Sequence, residues 1–584
     1  MPASFLHGVE VIETVTGPAP ITVVKSSVIG LVGTAPVWDV QAPSSAPGIN
    51  VPTLVSSALA AANFGPMVQG YTIPYALNAI IQQGAGQVIV INVFNPAVHY
   101  SDLVLPATFS SAGAINLGHM GISNLSLLPT STTAVTAEAH TFAGSPATIQ
   151  LSHGEIEVAA VVATSDPAGT TYLQGTDYLV DPVTGVISRI AGGAISAAEE
   201  VLVNYSYYSG TAYVLGRDYN ADLVNGVVTL LPGSTIAAGA AAIAAFSYAN
   251  PAQVQDSDII GAVTNGAYSG LQALTTTFNT MGFFAKVLIA PGYSQNGDVA
   301  NAMVALANQI RAMALIDSPP STTPATAITN RGVAGNAFDT SSTRVILCYP
   351  QETFYDTGLV PTGVTLNGTA PVTTAANQNS VGPYSQWVAG AIAYQDLQNG
   401  YWWSPSNTNV TGILGPDVTL YASLIDAASD VNNLNAAGIV TVFNAFGTGL
   451  RVWGNRTAGY PTITTPDNFI NIRRTMDVIE ESVELAMLQF MDQPISNALI
   501  TAILASVNAF IRTLIQRGAL VAGAATYNPA ENPPNQIAAG QLVFDIDVMP
   551  PPPAERLTFN VYIDSTLLSQ LGNTTAQSST AANA

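Results

Sequence analysis

Charged residues are scarce in this sequence, and basic residues are the scarcest. Asp, Glu, Lys and Arg make up 9% of the 584 residues, against about 25% in typical soluble domains. The 14 Lys and Arg residues face 36 Asp and Glu residues, which gives a net charge of −22. Because proteins hold nucleic acid through a basic surface, we exclude DNA and RNA as partners. Low charge beside 48% hydrophobic residues is typical of a subunit covered by copies of itself, and also of a secreted β-rich protein.

Cysteine and histidine are too few, or too unevenly placed, for the common catalytic and metal sites. The single cysteine, Cys348, excludes an intramolecular disulfide, and its apolar run Arg344–Tyr349 predicts a buried strand. The five histidines all lie outside the segments with α/β character: His7, His99, His119, His140 and His153. We therefore predict no catalytic residues, no metal and no cofactor, and hence a protein that is not an enzyme.

Phosphate-binding and membrane-targeting signals are missing as well. The glycines of Gly447–Gly454 do not have the GxGxxG spacing, and no GxxxxGK[ST] loop occurs. The N-terminus carries Glu10 and Glu13 but no basic region, which argues against a signal peptide. The uncharged stretch 223–255 is interrupted by Pro232 and is a poor membrane span. We expect a soluble protein that matures in a cytoplasm without membrane insertion.

Two kinds of hydrophobic pattern alternate along the chain. Residues 25–95 and 253–465 contain short continuous apolar runs such as 87–93, which are typical of strands covered on both faces in a mostly parallel sheet. Helical periodicity stands between such runs, as in Tyr75–Gln83 and Asp298–Ile316. The two segments therefore predict one α/β core domain, interrupted by the residues between them.

The interrupting residues 96–252, called the insertion below, are rich in Gly, Ser, Thr and Ala and predict an all-β domain. Within the insertion, Tyr172–Tyr178 (YLQGTDY) recurs 41 residues later as Tyr213–Tyr219 (YVLGRDY). Two interpretations of the repeated aspartates stay open, calcium binding and turn formation. These aspartates are Asp177, Asp181, Asp218 and Asp222.

Residues 466–565 predict a separate domain of two helices and two strands. Apolar residues three and four apart predict a helix over Ile472–Phe490 and a second one from Pro494 to Gly518. Alternation then predicts a strand with four apolar residues on one face: Leu542, Phe544, Ile546 and Val548. A run of prolines separates it from a last strand with three more: Phe559, Val561 and Ile563. Residues 566–584 are small and polar and predict a flexible tail.

The N-terminus also predicts an isolated strand. Residues 1–24 predict an extended arm, with the apolar residues Val9, Val11 and Val15 before a Pro-rich break. Because isolated strands are not stable in water, we expect both terminal strands to pair with neighbouring copies. The strand at 542–548 is the predicted acceptor of both arms.

Several motifs, in the right order, resemble the phage tail sheath proteins. They are Phe5–Glu10, Ile21–Pro36, Gly382–Asn407, Gly438–Ile439, Val452–Thr457 and Asn471–Glu480. The resemblance covers the arm, residues 25–95 and about 255–565, whereas the insertion matches only in position and β character. This chain has Ser406 where the family commonly has alanine, and Asn455 where the family commonly has a small apolar residue.

The resemblance implies a structural subunit that stacks as hexameric rings in a helical sheath around the tail tube. A signal from the baseplate triggers contraction, which drives the tube through the target envelope. The implied partners are further copies, the tail tube protein, and baseplate and tail terminator proteins. The implied location is the virion, after assembly in the host cytoplasm. Two other interpretations remain, a secreted or surface β-rich adhesin or structural protein, and an α/β enzyme with a β insertion.

Seven of the twelve arginines fall between Arg451 and Arg556, so this part alone can present local positive charge. Given the resemblance, four of them are candidates for contacts to an acidic tube: Arg473, Arg474, Arg512 and Arg517. For Arg512 and Arg517, which close the second helix, the helix dipole is an alternative explanation.

Overall fold

The structure is a computed structural model and describes residues 20–37, 47–84, 86–143, 147–167, 169–358, 360–361, 374–375, 378–444 and 447–572.

The first core segment folds as a strand–helix–strand unit. The two long strands of this unit are buried at every residue, as their continuous apolar runs predict. Its elements are β1 (Ile29–Gly33), β2 (Thr53–Val55), α1 (Ala58–Ala61), α2 (Ile73–Gln82) and β3 (Val88–Asn92).

The described part of residues 100–249 forms twelve strands and one short 3-10 helix, Val158–Ala160. The first six strands are β4 (Tyr100–Thr108), β5 (Ala114–Asn116), β6 (Ile122–Leu128), β7 (Thr132–Thr141), β8 (Thr148–Gln150) and β9 (Val162–Ser165). The other six are β10 (Tyr178–Val180), β11 (Val186–Arg189), β12 (Glu200–Tyr208), β13 (Tyr219–Asp222), β14 (Val227–Leu230) and β15 (Ala241–Ala249).

These twelve strands form two modules of the same design, one nested in the other. The outer module has the sheets β4-β15-β6 and β13-β14-β5, and the inner module has β7-β12-β9 and β10-β11-β8. Each module closes over its own apolar cluster. β12 and β15 lie 41 residues apart, which is the offset of the sequence repeat. The inner module leaves the outer one after Leu128, and the chain returns where the Tyr213 N–H donates to the Leu127 carbonyl at 2.8 Å.

The repeated aspartates form turns in both modules. Asp177 and Asp218 are buried, and each accepts the backbone N–H four residues before it at 2.8 Å. Asp181 and Asp222 accept N–H groups from the turns that follow them. Turn formation therefore accounts for the aspartate spacing. Across the ranges that the structure describes, no group of three or more His, Cys, Asp or Glu side chains could hold a metal ion.

The second core segment carries the rest of the large sheet. Its helices are α3 (Asp256–Ile260), α4 (Thr277–Met281), α5 (Gly297–Ile310), α6 (Pro324–Thr329), α7 (Ser385–Gln398) and α8 (Asp430–Ala436). Its strands are β16 (Val263–Thr264), β17 (Ala267–Tyr268), β18 (Val287–Ile289), β19 (Met313–Asp317), β20 (Val345–Cys348), β21 (Glu352–Tyr355), β22 (Val360–Pro361), β23 (Thr374–Ala375), β24 (Asn379–Gly382), β25 (Ile413–Pro416), β26 (Ile439–Asn444) and β27 (Leu450–Trp453).

The core sheet has eight strands in the order β2-β3-β1-β18-β19-β20-β26-β27. The six inner strands are parallel, and the two edge strands run antiparallel to them. α2 and α7 cover one face, and α5, α8 and the 3-10 helix Gly270–Thr276 cover the other. This confirms the predicted parallel sheet that is covered on both faces.

One core helix is shorter than its apolar pattern predicts. The predicted helix Asp298–Ile316 ends at Ile310, because Arg311 adopts a left-handed conformation with φ of 51°. The following residues, Met313–Asp317, form the fully buried strand β19 in the middle of the sheet. A continuous apolar run does not distinguish a buried helix end from a buried strand, so the boundary was wrong.

The C-terminal domain packs two long helices against a two-stranded sheet. Its elements are α9 (Ile470–Met487), α10 (Asn497–Gln516), β28 (Ala522–Thr526), α11 (Pro534–Ala538) and β29 (Asp545–Met549). Both predicted helices are confirmed, but the second begins at Asn497, where the Ser496 hydroxyl caps it, rather than at Pro494. Gly518 follows that helix with φ of 80°, as expected at its C-terminal end.

Helix α10 is also, within the described residues, the one helix long and apolar enough to cross a membrane by length and composition. Its most apolar window has a mean hydropathy of 1.9 and is 28% buried. The buried side chains Val507, Phe510 and Leu514 pack into the C-terminal cluster. This packing accounts for one apolar side of the helix.

The nesting of the two modules predicts that the inner one can be removed. Because Leu127 and Tyr213 are hydrogen-bonded neighbours, a short Gly/Ser linker in place of residues 130–211 spans the gap without strain. We expect the shortened subunit to keep a cooperative thermal transition within a few degrees of the full chain, measured by circular dichroism. Insoluble protein, or loss of the core transition, would show that the modules fold only together.

Candidate functional site

The C-terminal sheet has a strand edge that no other strand covers among the residues that the structure describes. β28 and β29 pair in antiparallel register from Ala522 opposite Met549 to Thr526 opposite Asp545. Among the described residues this sheet has two strands only, and no described strand pairs with the outer edge of β29. On the outer edge of β28, the Asn508 side chain of α10 bonds to both the N–H and the carbonyl of Ala525, each at 2.9 Å. A two-stranded sheet is marginally stable alone, and open edges are templates for further strands.

The predicted acceptor residues are split between this sheet and the loop before it. Ile546 and Val548 lie in β29, which begins at Asp545. Leu542 and Phe544 precede the strand, and Phe544 packs against Tyr527 at 5.5 Å between ring centroids. The acceptor strand is therefore shifted toward the C-terminus. β28, the other strand of this sheet, was not predicted, because its Ala- and Gly-rich sequence carries no strand pattern.

The predicted C-terminal strand pairs with no described strand of its own subunit. Phe559, Val561 and Ile563 are 81%, 88% and 102% exposed and belong to no strand. The three apolar residues predicted for the N-terminal arm, Val9, Val11 and Val15, lie outside the described residues. Pairing of either arm with a neighbouring subunit thus stays a prediction.

The base of the N-terminal arm lies on the C-terminal domain. Ile21 and Val23 pack against the C-terminal cluster, and the Val24 N–H donates to the Ser482 hydroxyl of α9 at 3.1 Å. The Ser26 hydroxyl donates to the Asp396 carboxylate at 2.7 Å. Residues 21–26, at the base of the arm, are therefore held in place against the C-terminal domain and α7.

Arg474 is a buried anchor, not a surface contact. Its guanidinium makes a bidentate ion pair with Asp396 on α7, at 2.6 and 2.8 Å, and both side chains are at most 4% exposed. It also donates to the Ser26 carbonyl at 3.1 Å. The expectation that Arg474 is available for an outside partner was therefore wrong. The sequence did not show that Asp396, 78 residues away, would neutralise it.

Arg473 is also engaged within the subunit. Its guanidinium binds Asp477 at 2.7 Å and Glu480 at 3.0 Å on the same helix. The expectation of a free contact is therefore wrong for Arg473 as well. Arg512 and Arg517, at the end of α10, are exposed and form no ion pair with any residue that the structure describes.

A row of ion pairs joins α9 to the core sheet. Lys286, Arg311 and Arg344 each stand one or two residues before a parallel strand, β18, β19 and β20 respectively. These strands are neighbours, so the three cations line up along the amino-terminal edge of the sheet. Opposite them, α9 carries an acidic stripe at helical spacing. The stripe consists of Asp477, Glu480, Glu481 and Glu484.

We call these cations and the acidic stripe the charged seam. The side chains at the centre of the seam are the most buried. Lys286 pairs with Glu481, and their side chains are 7% and 11% exposed. Arg344 binds Asp477 at 2.5 Å, while Arg311 binds Glu480 at 3.1 Å nearer the surface. Burial lowers the pKa of Lys286, and the neighbouring Glu481 opposes that shift. Breaking such a buried pair leaves an uncompensated charge, which costs about 3–5 kcal/mol.

Only one side of the seam could be predicted from the sequence. The acids of α9 repeat at helical spacing, which a pattern search finds, but each cation stands alone in a different loop. Only the parallel order of β18, β19 and β20 brings the three cations together. These ion pairs join two parts of one chain, α9 of the C-terminal domain and the amino-terminal edge of the core sheet.

The fold and the seam define a multidomain structural subunit of mixed helices and strands. Residues 261–458 match the family model of the phage tail sheath protein central domain, and residues 465–564 match that of the phage tail sheath C-terminal domain. Residues 105–212 match a family of unknown function. The chain belongs to the phage tail sheath proteins, as its motifs predicted, and is thus a component of a contractile tail in the virion.

The similarity to one relative extends over nearly the whole chain. The tail sheath protein of Burkholderia phage BcepMu is 41% identical over 573 residues, 97% of this chain and 98% of that protein. The tail sheath protein of Escherichia phage P2 is 27% identical and covers 54% of this chain and 72% of its own. The contracted helical sheath of the anti-feeding prophage covers 96% of this chain and 100% of its own at 15% identity, with a TM-score of 0.49.

The seam predicts unequal costs for two neighbouring substitutions on α9. Glu481→Gln leaves Lys286 buried without a counter-charge, and we expect about 3 kcal/mol loss in the free energy of unfolding, measured with urea. The matched control Glu484→Gln removes a carboxylate that is 57% exposed, and we expect less than about 1 kcal/mol. Equal effects of the two substitutions would contradict a buried seam.

Proposed function

We propose that the chain polymerises as stacked hexameric rings in a helical sheath around the tail tube. A baseplate signal triggers contraction of the stretched sheath, and the tube is driven through the target cell envelope. The partners are further copies of the chain, the tail tube protein, and baseplate and tail terminator proteins. The subunit assembles in the host cytoplasm and acts without catalysis, cofactor, nucleic acid or membrane insertion.

The observation that supports this proposal is an open strand edge in the C-terminal sheet together with a predicted C-terminal strand, Phe559–Ile563, that pairs with no described strand. The C-terminal sheet offers two edges, and the chain has two terminal arms, 1–24 and the segment that contains Phe559–Ile563. Strand addition joins chains through main-chain hydrogen bonds, which depend little on side-chain identity. One arm from each of two neighbours then completes a four-stranded sheet in every subunit.

The charged seam supports the transmission of force through these links. A strand added to the C-terminal sheet pulls on α9, and α9 is tied to the sheet edge through Lys286, Arg311 and Arg344. We propose that the core (25–95 and 253–465) and the C-terminal domain (466–565) rotate as one unit. In this arrangement the core faces the tube and the insertion (96–252) faces outward.

The arms should be dispensable for folding and required for assembly. Deleting residues 1–20 leaves Ile21 and Val23 on the C-terminal cluster, so we expect a folded, soluble subunit that forms no cylinders in negative-stain images. Val561→Pro removes one ladder donor at a residue that is 88% exposed. We expect the same assembly defect with an unchanged melting temperature.

Val561→Thr is the matched control, because it keeps both the backbone N–H and a β-branched side chain. We expect it to form sheaths of normal length. Normal sheaths from the truncated chain or from Val561→Pro would contradict the linking role of the arms.

The two free arginines of α10 remain candidates for the contact to an acidic tube. Exposed charges act at short range and are screened by salt. We expect Arg512→Glu with Arg517→Glu to reduce tube-templated assembly at low salt while the subunit melts normally. Arg451→Glu, on the core strand β27, is the control for a single charge reversal elsewhere in the chain, and each single variant of Arg512 and Arg517 is compared with it. Unchanged assembly of the double variant, scored as sheathed tubes per field, would exclude this contact.

A further inference from the structure

A cavity of about 430 Å³ lies at the carboxyl ends of β1 and β18, at the opposite end of the strands from the seam. Thr72, which bonds to Thr34 just after β1, lines one side, and Pro291 and Gly292, just after β18, line the other. The crossover after β1 runs through α2 on one face of the sheet, and the crossover before β18 runs over the opposite face. Ligands of doubly wound sheets bind at such a point.

The walls of the cavity combine aromatic rings with a buried carboxylate. Tyr71, Tyr75 and Phe354 supply the rings, and Asp356 supplies the carboxylate. None of the described lining residues is Lys, Arg or His. A volume of this size is within the range of small-molecule sites, about 300–1,000 Å³. The absence of positive charge in the lining argues against anionic ligands such as phosphates.

Asp356 is 1% exposed, and the donors that hold it are neutral. It accepts hydrogen bonds from the Tyr75 hydroxyl at 3.0 Å, the Ser380 hydroxyl at 2.6 Å and the Gly358 N–H at 2.8 Å. Burial, and then the charge of Asp356, raise the pKa of Tyr75, so its phenol stays protonated and donates. No described cation pairs with this carboxylate, and a buried charge is stabilised by a counter-charge.

Gln386 gives a second, independent indication of a ligand. Its side chain lines the same cavity, and the residue is 2% exposed. Its amide oxygen has no hydrogen-bond partner among the described residues. A buried acceptor without a donor is costly, about 1–3 kcal/mol, so a bound group that donates hydrogen bonds fits this position.

We propose that this cavity binds a small aliphatic amine in its ammonium form. The ammonium group donates to the Gln386 amide oxygen and neutralises Asp356, and the alkyl chain packs against the aromatic rings. A lysine of another copy is not the source. The chain has two lysines, of which Lys25 donates to Gln87 and Lys286 is buried in the seam.

The test is calorimetric titration of the full-length subunit with n-butylammonium and 1,4-diaminobutane. The neutral isostere 1-butanol and the anion butyrate are the ligand controls. We expect saturable binding of the amines, at least tenfold weaker binding of 1-butanol, and no binding of butyrate. No saturable amine binding, or equal binding of 1-butanol, would overturn the proposal.

Two substitutions locate the binding. Asp356→Asn removes the charge, and Val381→Trp fills the mouth of the cavity from a residue that is 48% exposed. We expect each to weaken amine binding at least tenfold, whereas Asp492→Asn, an exposed residue outside the cavity, leaves it unchanged. Because Val381 is exposed, its variant keeps the test valid if Asp356→Asn does not fold. Full binding by a folded variant of either kind would overturn the assignment.

Discussion

The backbone groups along the outer edge of β29, and along the part of β28 that Asn508 does not bind, are the constraint on which this subunit depends. A strand edge presents N–H and C=O groups that are obligatory hydrogen-bonding partners. Here the sheet stops at two strands, and the apolar arm that follows β29 lies exposed beside it. Both deficits disappear when the arm of one copy pairs with the sheet of another. The proposed strand addition between copies would satisfy both.

The charged seam ties the C-terminal domain, which carries these edges, to the core. Ion pairs that are buried contribute little net stability, but they fix geometry, because each charge has one partner at the right distance. Lys286 with Glu481 and Arg474 with Asp396 each tie an element of the C-terminal domain to the core. In a chain with only 14 basic residues, six of them serve this junction or its flank: Lys286, Arg311, Arg344, Arg456, Arg473 and Arg474.

The local sequence pattern predicted many of the helices and strands. It failed where an element or a side-chain contact depends on residues far away in the sequence. The apolar run around Cys348 predicted a strand, and the helical periodicity predicted α9 and α10. These predictions were right because buried positions are occupied by apolar residues in the order that a strand or a helix requires. β19 was taken for the end of a helix, since a buried strand and a buried helix end are alike in composition. Arg474 was assigned to the surface, because no local signal names Asp396 as its partner. The family resemblance, carried by motifs spread along the chain, was confirmed.

Hydrogen exchange measured by mass spectrometry on free subunits and on assembled sheaths tests the central claim most directly. Open edges exchange quickly, and paired edges are protected. The account predicts that peptides covering 522–526, 545–549 and 557–563 gain about two orders of magnitude of protection on assembly. Peptides from α9, already held by the seam, should change little. Equal protection of the three segments in free and assembled protein would contradict pairing of the arms between subunits.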